Sequence, residues 1–90
     1  MAEVRVEIDA LDREIVALIA DRLHYIDEAA RLKPRRDQVR DEARIADVLR
    51  RVESEAARLG ADPKVVASAY RALVEASIVH EFEKFDKLRR

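Results

Sequence analysis

Arg22 interrupts an apolar row. Val4, Ile8, Leu11, Ile15 and Leu18 are followed by Arg22, Tyr25, Ala29 and Leu32 at alternating gaps of four and three. That rhythm is the inward seam of one long amphipathic helix. A guanidinium keeps its charge at any physiological pH, and desolvating it without a partner is strongly unfavourable. Something anionic must therefore meet Arg22 on the seam, either a carboxylate of the chain or a bound ligand.

Other polar residues fall on the same inward faces. Lys33 is eleven positions after Arg22, which at 100° per residue returns to within about 20° of the same direction, roughly 16 Å further along. Two long cationic side chains on one face can reach toward a single anion between them. Arg5 lies seventeen positions before Arg22, roughly 25 Å away on the same rod. It cannot serve that place in its own chain, although the Arg5 of an antiparallel partner can. Asp41 stands one turn before Ile45, and Ser77 and Glu81 interrupt an otherwise apolar face by one turn. Three cations, a hydroxyl and two carboxylates suit a compact dianion with two carboxylates and a hydroxyl, because arginine forks bind carboxylates through paired hydrogen bonds.

Spacing alone leaves two readings open. A seam arginine paired with Glu81 or Asp41 is a structural ion pair that sets register and does no chemistry. The alternative is a ligand pocket. His24 and His80 read as surface or rim residues, and Tyr25 reads as core.

The elements that must position these groups are helical. The first helix is expected over Val4–Lys33, ended by Pro34, which disfavours the helical conformation at the residue before it. Pro34 to Asp37 forms a short polar connection. A second helix is expected over Val39–Leu59, with Ile45, Val48, Leu49, Val52, Ala56 and Leu59 on one side and Gly60 closing it. Asp62 followed by Pro63 is a helix-start pair, and the third helix should run to about Phe85 through Val66, Tyr70, Leu73, Ser77 and Glu81. No segment alternates with period two, so strands are not expected. The fold class is all-α, in one domain over residues 1–90. The first rod is too long to fold back on so short a chain, and its heptad spacing predicts pairing with a second copy.

Composition excludes several classes. A formal net charge of −1 with 41% charged residues gives mixed signs and no basic excess to hold nucleic acid or an anionic membrane. There are no cysteines, and one glycine with two prolines leaves few turns. The two histidines lack the clustered partners of a zinc site. No apolar run approaches the ~20 residues of a membrane span, and the start MAEVRVEIDA has no apolar signal region. A soluble cytoplasmic protein is the expectation.

Taken together, Arg5, Asp9 and Asp12, then Leu18 and Arg22, then Lys33, then Val39-Arg40-Asp41 resemble the all-helical chorismate mutases. The likeness covers nearly the whole chain, including the break after Lys33 and the Asp62-Pro63 start. As a set these spacings are specific. The resemblance implies an intertwined antiparallel homodimer of three-helix chains with two active sites. Each site would take Arg22 and Lys33 from one chain and Arg5 from the other. Arg22 and the partner's Arg5 would grip the two carboxylates of chorismate, and Lys33 would donate to the ether oxygen. Asp41 would hold the ring hydroxyl and Ser77 would line the carboxylate side. The implied reaction is rearrangement to prephenate, with no cofactor.

Two positions depart from the family pattern. Ile45 stands where a glutamate often binds the ring hydroxyl, and Glu81 where bacterial members often have glutamine. A carboxyl at Glu81 is pulled two ways, since burial favours its neutral form and nearby cations its ionised form. The Arg22-Leu23-x-Tyr25 stretch and Ile45 also resemble the sister isochorismate pyruvate lyases, which make salicylate and pyruvate. A mutase acting on 4-amino-4-deoxychorismate is a third possibility, with Glu81 pairing the amine. From a different class, a helical dimerisation module without activity would use Arg22 for register alone.

Overall fold

The computed structural model describes residues 1–90 as three helices without strands. They are α1 (Ala2–Leu32), α2 (Glu42–Arg58) and α3 (Pro63–Leu88), with a 3₁₀ turn at Arg36–Gln38 between the first two. The molecule measures 50 × 25 × 15 Å. Its long dimension matches a 31-residue rod, since 1.5 Å per residue gives roughly 46 Å. The all-α expectation holds. No helix is long and apolar enough to cross a membrane.

Each boundary has a local cause. Pro34 pushes Lys33 into extended backbone (φ −70°, ψ 130°), so α1 ends at Leu32 and Lys33 becomes its cap. Asp41 accepts a hydrogen bond from the Arg44 amide at 3.0 Å and caps α2. At the other end of α2, Gly60 takes φ +76°. The Ala61 amide then reaches Ala56 O at 2.9 Å and the Gly60 amide reaches Ala57 O at 3.1 Å, a Schellman closure. Asp62 accepts from the Lys64 amide at 2.9 Å, and Pro63 fills the first helical position of α3.

Four sequence expectations need correction. The second helix begins at Glu42 and not Val39, because the 3₁₀ turn claims Arg36–Gln38 and the Asp41 side chain starts the helix afresh. Leu59 falls outside α2 as its cap and is 67% exposed. Tyr25, expected in the core, is 77% exposed because α3 packs on the other side of α1. The third helix continues past Phe85 to Leu88.

Helix α3 packs against both α1 and α2. Only eight of 90 residues are buried, which is too little apolar interior for three helices to rest on. Ala30, Val39 and Phe85 form the densest cluster, where the end of α1, the connecting turn and the end of α3 meet. Two of the eight buried residues are polar, Ser77 and Glu81, one turn apart on α3. Along α1, by contrast, Val4, Ile8, Leu11, Ile15 and Leu18 are each 50–66% exposed. A row of that length marks an interaction face more than an ordinary solvated surface.

Candidate functional site

Ser77 organises the first cation. Its hydroxyl donates back to Leu73 O at 2.7 Å, which commits the proton and leaves a lone pair aimed away from its own helix. Arg22 Nη1 donates to that oxygen at 3.0 Å, joining α1 to α3. The guanidinium also stands 5.5 Å from the centre of the Tyr70 ring, within cation–π range. No carboxylate lies within salt-bridge distance of Arg22. No buried side-chain nitrogen or oxygen lacks a partner, so the remaining guanidinium donors face open space. The positive charge of Arg22 is therefore held in place but not neutralised.

Lys33 behaves differently. Its Nζ is 2.6 Å from Glu81 Oε2 and 3.5 Å from Val39 O. The Glu81 side chain is 5% exposed and that of Lys33 29%. Burying a carboxylate this far requires a close cation, and Lys33 supplies it. The ion pair weighed for the seam, Arg22 with Glu81 or Asp41, is not formed: Glu81 pairs with Lys33 instead, leaving Arg22 without a counter-charge.

Between the three helices lies a cavity of about 360 Å³ lined by 14 residues. Ile26, Ala29, Val39, Ile45, Val48, Val74 and Ile78 form its apolar wall. The polar lining consists of Arg22, Lys33, Arg44, Gln38, Asp41, Ser77 and Glu81. Six of the seven residues singled out from sequence thus meet at one hollow: Arg22, Lys33, Asp41, Ile45, Ser77 and Glu81. Arg5 does not. It sits exposed in the first turns of α1, on the order of 25 Å along the rod.

Sequence reasoning missed Arg44 and Gln38. Arg44 had a readable signal, since Asp41, Arg44, Ile45 and Val48 share one face at helical spacing. Gln38 had none, because it belongs to the 3₁₀ turn and follows no periodicity. Arg44 Nη1 is 3.2 Å from Asp47 Oδ2. That carboxylate is held below its usual range chiefly by its hydrogen bond to Arg51, with Arg50 and Arg44 adding to it. Of the three cations on the hollow, Lys33 and Arg44 each have a carboxylate partner and Arg22 has none. A small anion is the guest such a lining admits, with apolar walls for its carbon skeleton.

Over residues 4–82 the chain matches the chorismate mutase type II family. It belongs to that family. No curated protein matches the chain. The matched span takes in α1 from Val4, the connecting turn, all of α2, and α3 through Phe82, so every residue of the cavity falls within the chorismate mutase type II region. No group of three or more histidine, cysteine or acidic residues is placed to hold a metal ion.

Proposed function

We propose that this protein is a chorismate mutase that rearranges chorismate to prephenate as an intertwined antiparallel homodimer. The observation that carries the reading is Arg22, a fixed guanidinium without a counter-ion on the wall of a hollow sized for a small molecule. Family membership supplies the substrate class.

The reaction is unimolecular. The ether carbon–oxygen bond breaks as a carbon–carbon bond forms between the enolpyruvyl arm and the ring. No proton or electron is gained or lost, so no nucleophile or redox group is required. The protein holds the flexible arm over the ring and stabilises negative charge gathering on the ether oxygen. Arg22 grips one carboxylate, with Ser77 beside it, and the partner's Arg5 grips the other. Arg22 is the one cation of the hollow without an acid of its own chain, so a dianion needs that second arginine. The Lys33 ammonium, held by Glu81 through one N–H, donates another to the ether oxygen. Glu81 assists by holding that ammonium in place, its own charge balanced by Lys33. Asp41 holds the ring hydroxyl, with Arg44 and Gln38 beside it.

The exposed row from Val4 to Leu18 supports the dimer, since a second copy laid antiparallel covers it and brings its Arg5 to the hollow. Incubation with chorismate, followed by identification of prephenate, tests the assignment. Isochorismate belongs in a parallel reaction, because Ile45 places an aliphatic group on the cavity wall. Salicylate and pyruvate from isochorismate, with no prephenate from chorismate, would reassign the protein as a lyase of the same fold. A 4-amino-4-deoxychorismate reaction is the third arm, with Glu81 positioned to pair an amine.

A further inference from the structure

Proline has no backbone N–H. In an uninterrupted α1 the amide of residue 34 would bond the carbonyl of Ala30, but residue 34 is Pro34. Ala30 is 0% exposed, so water cannot readily take the place of that donor, and an unpaired buried carbonyl is costly. The missing donor comes from the far end of the chain. Arg89 Nη1 lies 3.2 Å from Ala30 O and 3.3 Å from Phe85 O, and its Nη2 lies 2.6 Å from Lys33 O. The guanidinium rests over the Phe85 ring, 3.5 Å from its centre.

We propose that Arg89 is the positioning residue for Lys33. The inference rests on the reading that Lys33 acts on the substrate. One guanidinium bridges the last carbonyl of the helix that Pro34 orphaned and the carbonyl of Lys33 itself. Its charge also suits the negative end of the α1 dipole. Lys33 is thereby fixed at both ends, its backbone by Arg89 and its ammonium by Glu81. Arg89 lies outside the matched residues 4–82. Without it the turn at Lys33 loosens, and a misplacement of about 1 Å in a reacting group costs on the order of 100-fold in rate.

The test pairs a spectroscopic readout with kinetics on Arg89→Ala and Arg89→Lys. In the wild type, the Lys33 ammonium held by Glu81 should give a protected ¹⁵N-resolved proton signal. Arg89→Ala should lose it while the His80 ring signal, next to Asp27 and away from Arg89, is retained. With chorismate, kcat should fall about tenfold or more while KM changes less. Arg89→Lys keeps the charge but cannot bridge both carbonyls, so it should be intermediate. An unchanged ammonium signal and unchanged kcat, even with a lower Tm, would reduce Arg89 to a helix cap and overturn the proposal. If Arg89→Ala does not fold, wild-type behaviour of Arg89→Lys in both readouts overturns it equally. A wild type that turns over no substrate removes the functional reading, and the ammonium signal then decides positioning alone.

Discussion

The Lys33 ammonium and the Glu81 carboxylate lie 2.6 Å apart, joining the end of α1, where Pro34 breaks it, to α3. Arg22 shares their cavity and has no such partner. Of these two cations only Lys33 is paired with an acid of its own chain. That asymmetry underlies several of the expectations that follow.

Glu81→Gln should lower kcat by about tenfold, because glutamine keeps the shape but gives up the charge that holds the Lys33 ammonium at 2.6 Å. Steady-state kinetics on the variant decide it, and an unchanged kcat removes Glu81 from the chemistry.

Arg22→Ala should lower kcat/KM by about 100-fold or more, the scale seen when one donor to a developing anion is removed. Arg22 carries no salt bridge whose loss would strand a buried acid, so helicity and oligomeric state should be retained. Circular dichroism and gel filtration alongside the assay separate this from a structural role. A large loss of Tm with turnover preserved would favour the dimerisation module.

Mixing two inactive variants tests whether sites are shared. Arg5→Ala and Arg22→Ala each disable both sites of their own homodimer. After unfolding and refolding together, half the dimers are mixed, and one site in each mixed dimer is intact. Activity should return to about a quarter of wild type for random pairing of a twofold dimer. No recovery means that Arg5 does not serve the other chain's cavity.

Acid should weaken the clamp between the connecting turn and α3. Arg40 donates to both oxygens of Glu75 at 2.9 Å, and these hydrogen bonds hold the Glu75 carboxyl below its ordinary 4.5. A depressed carboxyl contributes stability that is fully present above the ordinary value and disappears as pH falls through the lowered one. Thermal melts between about pH 6 and pH 2.5 should show Glu75→Gln with a shallower acid slope than wild type. The pair is exposed, so the difference should be modest and shrink with salt.

The elements were readable where a residue dictates backbone. Pro34, Gly60 and the Asp62-Pro63 pair each impose a conformation, and the boundaries near them came out within a residue or two. The start of α2 was misread because Val39 and Arg40 suit a helix, while the deciding group is an Asp41 side chain that turns back on Arg44. Tyr25 fell on the right rhythm but on a flank that α3 leaves uncovered, and periodicity does not say which neighbour covers which stretch. At the site, helical spacing brought six residues toward one hollow. It did not say which cation would take Glu81. The bond from Arg89 to Ala30 joins residues 59 positions apart, and no local pattern encodes it.

The hollow occupies the space that three helices of this length would normally fill with side chains. Ala29 lines it with no more than a methyl group. A bulkier residue at Ala29 would rigidify the fold and evict the guest in the same stroke. Heat resistance and turnover therefore draw on the same few hundred cubic ångströms, and selection for either one works against the other.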